Sequence, residues 1–185
     1  IKVSTIGGYG DTTVAEHAFG LMIGLAKEFW VHASAVKNGK WVRHTGHELM
    51  GKTLGVLGLG RIGQEVVKRA TAFGMRCVAF DVYWPEAFAA EYGVERVMTA
   101  EGVLPLADVV TLHMNLTDAN RGFINARTLA TMKRGSYLIN TARGGLVVED
   151  DVAEACRSGQ LAGYGTDVVD EEPMRPGHPF QSIDS

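Results

Sequence analysis

Short apolar runs alternate with amphipathic segments along most of this sequence, from Lys52 onward. The apolar runs have the length of β-strands, and the segments between them repeat apolar residues at helical spacing. This pattern predicts strands at 53–59, 75–81, 95–98, 108–114, 136–141 and 163–168. It predicts helices near 61–73, 85–92, 126–133 and 149–158, which lie between strands. Such alternation is typical of a parallel sheet that is covered by helices on both faces.

The predicted strands are apolar on both faces, as positions 53–57 and 108–112 illustrate. Strands of this kind lie inside a parallel sheet, where neither face meets water. Six of them favour an α/β fold of the Rossmann type, a doubly wound parallel sheet. In such a fold the ligand binds in a crevice at the carboxyl ends of the strands.

The first 50 residues follow a different pattern, which predicts an N-terminal strand, one long helix over 13–37 and an arm near 41–50. The helix is apolar around most of its circumference, and a helix of that kind is buried on more than one side. Two interpretations remain open. The helix is either a central core helix or a helix that packs both on its own domain and on a second subunit.

Length, charge and cysteine content narrow the functional classes. The 185 residues fit one domain, and the net charge of −3 with no basic stripe argues against nucleic acid and anionic membrane as partners. The longest apolar run, at 19–26, is too short to span a bilayer. The two cysteines are interpreted as reduced structural thiols, which indicates a cytoplasmic protein. No metal site is predicted.

A G-x-G-x-x-G motif, formed by Gly58, Gly60 and Gly63, directly follows the first predicted strand and opens a helix. The first glycine permits a tight turn, the second lets a pyrophosphate approach the backbone, and the third allows close packing of helix and strand. Asp81 ends the next strand and can accept hydrogen bonds from ribose hydroxyls. Its charge repels a 2′-phosphate, which favours NAD over NADP.

A polar turn at 140–145 follows the fifth predicted strand at the same edge of the sheet. Arg143 in this turn can bind a substrate carboxylate through two parallel hydrogen bonds. The alternative is an arginine that only forms a salt bridge with a neighbouring loop.

A third cluster follows the last predicted strand, with Asp167 at the ligand edge and Glu172 five residues further on. A buried carboxylate at position 172 can orient a histidine and raise its pKa for general acid or base catalysis. The alternative for the acidic run 170–172 is a solvated loop.

Taken together, these motifs resemble the D-isomer-specific 2-hydroxyacid dehydrogenases, a family that includes D-3-phosphoglycerate, glycerate, D-lactate, formate and phosphite dehydrogenases. The resemblance covers essentially the whole chain, because the motifs fall in the same order. They are Val14-Ala-Glu-His17, the glycine motif, His113-Met-Asn-Leu-Thr117, Asn140-Thr-Ala-Arg-Gly144 and Asp167 with Glu172-Pro173.

The resemblance implies a role for each matching residue. Arg143 would bind substrate during catalysis, and Glu172 would pair with a catalytic histidine. For the cofactor, Arg61 and Ile62 would contact the pyrophosphate and Asp81 the ribose. Residues 114–115 would lie near the adenosine part. The nicotinamide would be contacted by Thr141, Ala142 and Arg143, and its carboxamide by Asp167. Asn115 stands where the family usually has proline.

The resemblance also implies that the chain is one NAD-binding domain cut from a longer enzyme that acts on a 2-hydroxy or 2-keto acid. Residues 1–50 would hold the N-terminal strand, interface helix and arm, 51–170 the Rossmann core, and 171–185 the start of the crossover to a separate substrate domain. The family's catalytic histidine would lie beyond Ser185, whereas His178 matches a surface-loop position. Helix 13–37 and the arm would form a homodimer.

Two further functions remain as alternatives. The first is a formate-dehydrogenase-like enzyme, since the runs 133–137 and 158–165 resemble that branch. That branch typically has glutamine where this chain has Glu172, so the carboxylate favours hydroxy-acid chemistry. The second is an NAD-responsive binding module, because some transcriptional corepressors resemble this family.

Overall fold

Six parallel strands form a single sheet in a computed structural model of the chain, which describes residues 8, 10–43 and 45–183. The strand order is β3-β2-β1-β4-β5-β6, and every neighbouring pair is parallel. The strands are β1 (Thr53–Leu57), β2 (Arg76–Phe80), β3 (Glu95–Arg96), β4 (Val109–Leu112), β5 (Ser136–Asn140) and β6 (Leu161–Thr166). The Rossmann-type doubly wound sheet is therefore confirmed. Its direction of winding reverses between β1 and β4, where a crevice opens at the carboxyl edge.

Helices cover the sheet on both faces, as the buried apolar strands require. They are α1 (Asp11–Ala26), α2 (Phe29–Lys37), α3 (Arg61–Ala72), α4 (Glu86–Tyr92), α5 (Ala100–Val103), α6 (Ala126–Leu129) and α7 (Glu149–Arg157). One apolar cluster joins α1 and α3 to the sheet, and a second joins α5, α6 and α7 to it. Each cluster buries one face of the sheet.

The single helix predicted over 13–37 is wrong, because the helix breaks between Ala26 and Phe29. Glu28 adopts a left-handed conformation with φ of 53°. The carbonyl of Ala26 accepts a hydrogen bond of 2.7 Å from the backbone N–H of His47 instead of from the next helical turn. The arm therefore replaces the missing turn. Apolar residues continue on both sides of the break, so their periodicity does not mark it.

The two parts of the predicted helix differ in burial. In α1 the buried residues include Ala18, Phe19 and Met22, which fits the interpretation as a core helix. No residue of α2 is buried, and Trp30 and Val36 are 53% and 60% exposed. The core position thus belongs to α1 alone, while the described part of α2 leaves an apolar surface in solvent.

Smaller differences from the predicted elements have local causes. The helix predicted at 126–133 ends at Leu129, where turn hydrogen bonds from Thr131 and Met132 to residues three positions earlier replace the helical ones. The helical segment over 100–106 was not predicted. The predicted N-terminal strand falls on positions outside the described residues. Within the described ranges, no helix has the length and hydropathy needed to cross a bilayer.

Candidate functional site

The glycine motif forms a turn that leaves no space for side chains at its first and third glycines. Gly58 has φ of +99°, and a Cβ there would lie 2.7 Å from the carbonyl carbon of His113. A Cβ at Gly63 would lie 2.1 Å from the carbonyl oxygen of Gly58. At Gly60 a Cβ would meet nothing within 4 Å. The first and third glycines therefore shape the turn, while the second faces open space.

Helix α3 begins at Arg61, directly after this turn, and no side chain caps its N-terminus. The first N–H groups of a helix have no partner inside the helix and carry the positive end of its dipole. Such a terminus is suited to bind a phosphate. The side chain of Arg61 is largely exposed, and its Nε lies 3.4 Å from a carboxylate oxygen of Asp11.

The carboxylate of Asp81 is held by backbone N–H groups at the end of β2. The N–H of Leu59 donates to its Oδ2 at 2.6 Å, and the N–H of Tyr83 donates to its Oδ1 at 2.8 Å. Each carboxylate oxygen can accept more than one hydrogen bond, so both retain capacity for a ligand. The glycine turn thus fixes the carboxylate next to its own backbone.

A cleft of about 1020 Å³ brings these features together. The glycine turn, the start of α3 and Asp81 form one side, and the loop 113–120 forms the other. Hydrogen bonds of Asn120 to Asn115 and to Thr117 hold this loop in shape. An anion-binding helix end, an open approach to the backbone and an acid for hydroxyl groups fit a dinucleotide.

His113 stands at the end of β4, beside the glycine turn, and it lines the same cleft. Its backbone N–H donates to the carbonyl of Leu57 at 2.7 Å, and its Nε2 lies 2.9 Å from the hydroxyl of Thr111. Burial lowers the pKa of His113 to about 4. The imidazole is therefore neutral near pH 7.

The turn after β5 presents Arg143 to solvent, and Asn140 shapes this turn. Asn140 is fully buried, and its Oδ1 accepts from the N–H of Ala142 at 3.1 Å while its Nδ2 donates to the carbonyl of Arg143 at 2.9 Å. The guanidinium of Arg143 donates to the carbonyl of Ala142 at 2.6 Å. The sequence motifs predict no role for Asn140. A polar residue at the end of an apolar strand was the available signal.

The loops after β5 and β6 pass so close to each other that only glycine fits between them. A Cβ on Gly144 would lie 2.0 Å from the carbonyl carbon of Val169. Beside this crossing, Arg121 forms an ion pair of 3.1 Å with Asp170. A second cleft of about 430 Å³ opens here and is lined by Leu116, Arg121, Arg143, Gly144, Gly145, Val168, Val169, Asp170 and Glu172.

The predicted residues Arg143 and Glu172 therefore line one cleft. Glu172 matches the alternative of a solvated loop rather than that of a buried carboxylate. Its side chain is exposed within the described part of the chain. An exposed carboxylate remains well hydrated. The structure of this chain therefore does not provide the burial by which Glu172 was expected to raise the pKa of a histidine.

The remaining predicted residues follow the same two strands. Asp167 comes directly after β6, and its carboxylate lies 3.4 Å from Nε2 of His17 on α1. Thr141 comes directly after β5, and its hydroxyl is buried without a hydrogen-bond partner among the described residues. Ala142 is the next residue in this turn and is partly exposed.

His178 lies in a loop of mostly exposed residues, as its match with a surface-loop position implies, but its own side chain is buried. Its side chain is only 5% exposed, and Nε2 lies 2.9 Å from Oε2 of Glu149. Sequence reasoning missed this contact because 29 residues separate the two side chains. Among the described residues, no group of three or more His, Cys, Asp or Glu side chains could hold a metal ion.

The strand order, the glycine turn and the acid at the end of β2 define a dinucleotide-binding domain of the Rossmann class. A sequence profile described as "D-isomer specific 2-hydroxyacid dehydrogenase, NAD binding domain" matches residues 19–185. The chain belongs to this family, and its cofactor is NAD.

Individual relatives agree with the family. D-3-phosphoglycerate dehydrogenase of Methanocaldococcus jannaschii is 42% identical over 175 residues, which cover 94% of this chain and 33% of that enzyme. A solved D-lactate dehydrogenase from Aquifex aeolicus, complexed with NAD and lactic acid, matches with a TM-score of 0.84 and 35% identity over 90% of this chain and 50% of that one. A formate dehydrogenase from Granulicella matches with a TM-score of 0.90 and 32% identity over 96% of this chain and 49% of that one.

The chain spans only part of the proteins that it matches, from about a third to somewhat more than half of the curated relatives. The relatives thus include a large portion that this chain does not cover.

Proposed function

We propose that the full-length protein is an NAD-dependent dehydrogenase that interconverts a D-2-hydroxy acid and its 2-keto acid. The observation that carries this proposal is the position of Arg143 and Glu172 on one cleft at the carboxyl edge of the sheet. Residues 1–185 would form the NAD-binding domain, with residues 171–185 as the start of a crossover to a substrate domain. Substrate would bind between the two domains.

The large cleft would hold the cofactor. The pyrophosphate would bind to the glycine turn, formed by Gly58, Gly60 and Gly63, and to the N-terminus of α3 with Arg61 and Ile62. The adenosine ribose would bind to Asp81, and the adenosine part would lie near Asn115. The nicotinamide would be surrounded by Thr141, Ala142 and Asp167. When bound, NAD accepts or supplies the hydride at its nicotinamide ring. The unpartnered hydroxyl of Thr141 supports this placement, since a buried polar group calls for a hydrogen-bond partner.

Arg143 would bind the carboxylate of the substrate. A guanidinium has five N–H donors in a planar fork, and the contact with the carbonyl of Ala142 uses only one nitrogen. Two parallel charge-assisted hydrogen bonds to a carboxylate fix the orientation of the neighbouring C2 atom. Asn140 supports this role because it holds the turn from a fully buried position.

Glu172 would pair with a histidine contributed from elsewhere in the full-length protein. A carboxylate beside an imidazole stabilises its protonated form and raises its pKa, which prepares the histidine to exchange the hydroxyl proton of the substrate. The substrate domain would cover Glu172 and remove it from bulk water, which accounts for the exposure of this side chain in the present chain.

Formate oxidation is a second candidate, favoured by the similarity to the formate dehydrogenase from Granulicella. Formate has no hydroxyl group whose proton a histidine–glutamate pair must remove. The carboxylate at position 172 therefore favours the hydroxy-acid reaction.

Turnover by the full-length protein tests the proposal. We expect NADH oxidation with at least one 2-keto acid from a panel that includes hydroxypyruvate, glyoxylate and pyruvate, and slower oxidation of NADPH. Reduction of NAD with formate, without activity on any 2-keto acid of the panel, would favour formate oxidation. NADH-dependent capture of a protein partner without any turnover would instead support a corepressor-like binding module.

We also propose that the protein is a cytoplasmic homodimer that forms through α2 and the arm. Phe29, Trp30 and Val36 on α2 and Trp41 and Met50 on the arm are all at least half exposed, and such an apolar surface is typical of an interface. Sedimentation of the full-length protein should give twice the monomer mass. Val36→Glu should yield a monomer, and a monomeric wild type would contradict the proposal.

A further inference from the structure

His178 and Glu149 form a buried pair outside both clefts that the proposed reaction does not use. The side chain of His178 is 5% exposed and that of Glu149 is 19% exposed. The N–H of Phe180 donates to Nδ1 of His178 at 3.3 Å, so Nε2 carries the proton and donates to Oε2 of Glu149 at 2.9 Å. Both ring nitrogens therefore have a hydrogen-bond partner.

Glu149 connects this pair to the loop that carries Glu172. Its other oxygen, Oε1, accepts a hydrogen bond of 2.9 Å from the backbone N–H of Asp170, two residues before Glu172. Glu149 is the first residue of α7, where the helix dipole stabilises its negative charge. The carboxylate thus holds the loop after β6 on one side and His178 on the other.

Ring contacts connect the same histidine to the turn that carries Arg143. The imidazole of His178 packs on Phe180 with ring centroids 4.8 Å apart, and Phe180 packs on Tyr164 at 5.2 Å. The hydroxyl of Tyr164 lies 3.3 Å from Nδ2 of Asn140, which also donates to the carbonyl of Arg143. Contacts in a packed interior transmit a displacement from one side chain to the next.

We propose that His178 is a positioning residue for the hydroxy-acid reaction, because it fixes both the loop before Glu172 and the turn at Arg143. This inference assumes the function proposed above. Loss of the donor at Nε2 leaves the carboxylate of Glu149 without its partner in a mostly buried place, so Glu149 turns toward water and releases the N–H of Asp170. The turn at Arg143 and the loop before Glu172 then lose their fixed positions.

The test compares two variants of the full-length protein. His178→Leu removes the donor, whereas His178→Gln keeps an amide N–H that can reach Glu149. We expect kcat of His178→Leu with the best 2-keto acid to fall between about tenfold and hundredfold, the range for a small misplacement of reacting groups. NADH affinity, measured by fluorescence, should change less than twofold. His178→Gln should recover kcat to within about threefold of wild type.

Ser182→Ala serves as the matched control. The hydroxyl of Ser182 accepts a hydrogen bond from Arg157 and ties the same segment to α7 at an exposed position. Its loss should leave kcat unchanged. An equal fall of kcat in Ser182→Ala, or no rescue by His178→Gln, would show a general loss of order and would overturn the proposal.

Hydrogen exchange separates this inference from the proposed function. His178→Leu should accelerate amide exchange at least tenfold in peptides that cover 167–172, while exchange at 53–63 should stay unchanged. Unchanged exchange at 167–172 would overturn the positioning role even in an active enzyme. A wild type without any 2-keto-acid turnover would overturn the proposed function, and accelerated exchange would then still support the contact between His178 and the loop. If His178→Leu does not fold, Glu149→Ala removes the other partner of the pair, and the same changes in kcat and in hydrogen exchange are expected.

Discussion

The large cleft that we propose as the NAD site (the cofactor cleft) and the cleft at Arg143 are built in different ways. In the cofactor cleft, backbone atoms within 60 residues of sequence set the geometry: Gly58 and Gly63 exclude side chains, and the N–H of Leu59 fixes Asp81. At the second cleft, an exposed arginine and an exposed glutamate depend on loops that the side chains of Asn140 and Glu149 hold in place. The cofactor cleft is thus preformed by the main chain, whereas the other depends on side-chain contacts and on a covering domain.

The largest effect that this comparison predicts concerns Arg143. Arg143→Gln in the full-length protein should lower kcat/KM for the 2-keto acid by about a thousandfold, because a substrate carboxylate loses its charged partner. NADH affinity and thermal stability should stay near wild type, since the side chain is exposed. Arg134→Gln, at the opposite end of the same strand, is the control for loss of charge. A large loss of NADH affinity in Arg143→Gln would contradict the proposal that the two clefts have separate roles.

The free energy of unfolding at acid pH depends on His113, which lines the cofactor cleft. Burial lowers the folded-state pKa of His113 to about 4, below its ordinary value, so the unfolded chain binds a proton first as the pH falls. The stability contribution is complete above about pH 6.5 and is lost progressively toward pH 4, by up to about 3 kcal/mol. Denaturant unfolding at several pH values should show this slope. His113→Gln should reduce this slope, and an unchanged slope in that variant would contradict the prediction.

Two of the three glycines of the turn should respond differently to substitution by alanine. Gly63→Ala should destabilise the protein by about 2 kcal/mol, because its Cβ meets the carbonyl oxygen of Gly58, and it should weaken NAD binding as well. Gly60→Ala should weaken NAD binding but leave the melting temperature nearly unchanged, since its Cβ meets open space. Calorimetry with NAD and thermal unfolding check both. Equal destabilisation by the two variants would contradict the different roles of these glycines.

The smallest predicted effect concerns the choice of cofactor. Asp81→Asn should weaken NAD binding by about tenfold and narrow the preference for NAD over NADP, because the charge that repels a 2′-phosphate is removed. Titration with both cofactors measures this preference. Asp118→Asn, in the neighbouring loop, should not alter it. An unchanged ratio of the two affinities in Asp81→Asn would show that Asp81 does not select the cofactor.

The two clefts also differ in how much of them the sequence predicts. The sheet, the glycine turn and Asp81 follow from periodicity and short spacing, because the residues involved are neighbours along the chain or end adjacent strands. The break at Glu28 could not be predicted, since it depends on a hydrogen bond from His47 to the end of α1. The burial of His178 likewise depends on Glu149, a partner distant in sequence. Contacts of this kind leave no local pattern.

The crossing of Gly144 and Val169 has a consequence for protein engineering. A larger residue at position 144 would meet the backbone of the loop after β6, so it fits only if that loop moves as well. A library that places larger residues at position 144 alone should mostly yield misfolded variants. A redesign of the proposed substrate cleft should therefore vary both loops together, as a single cassette.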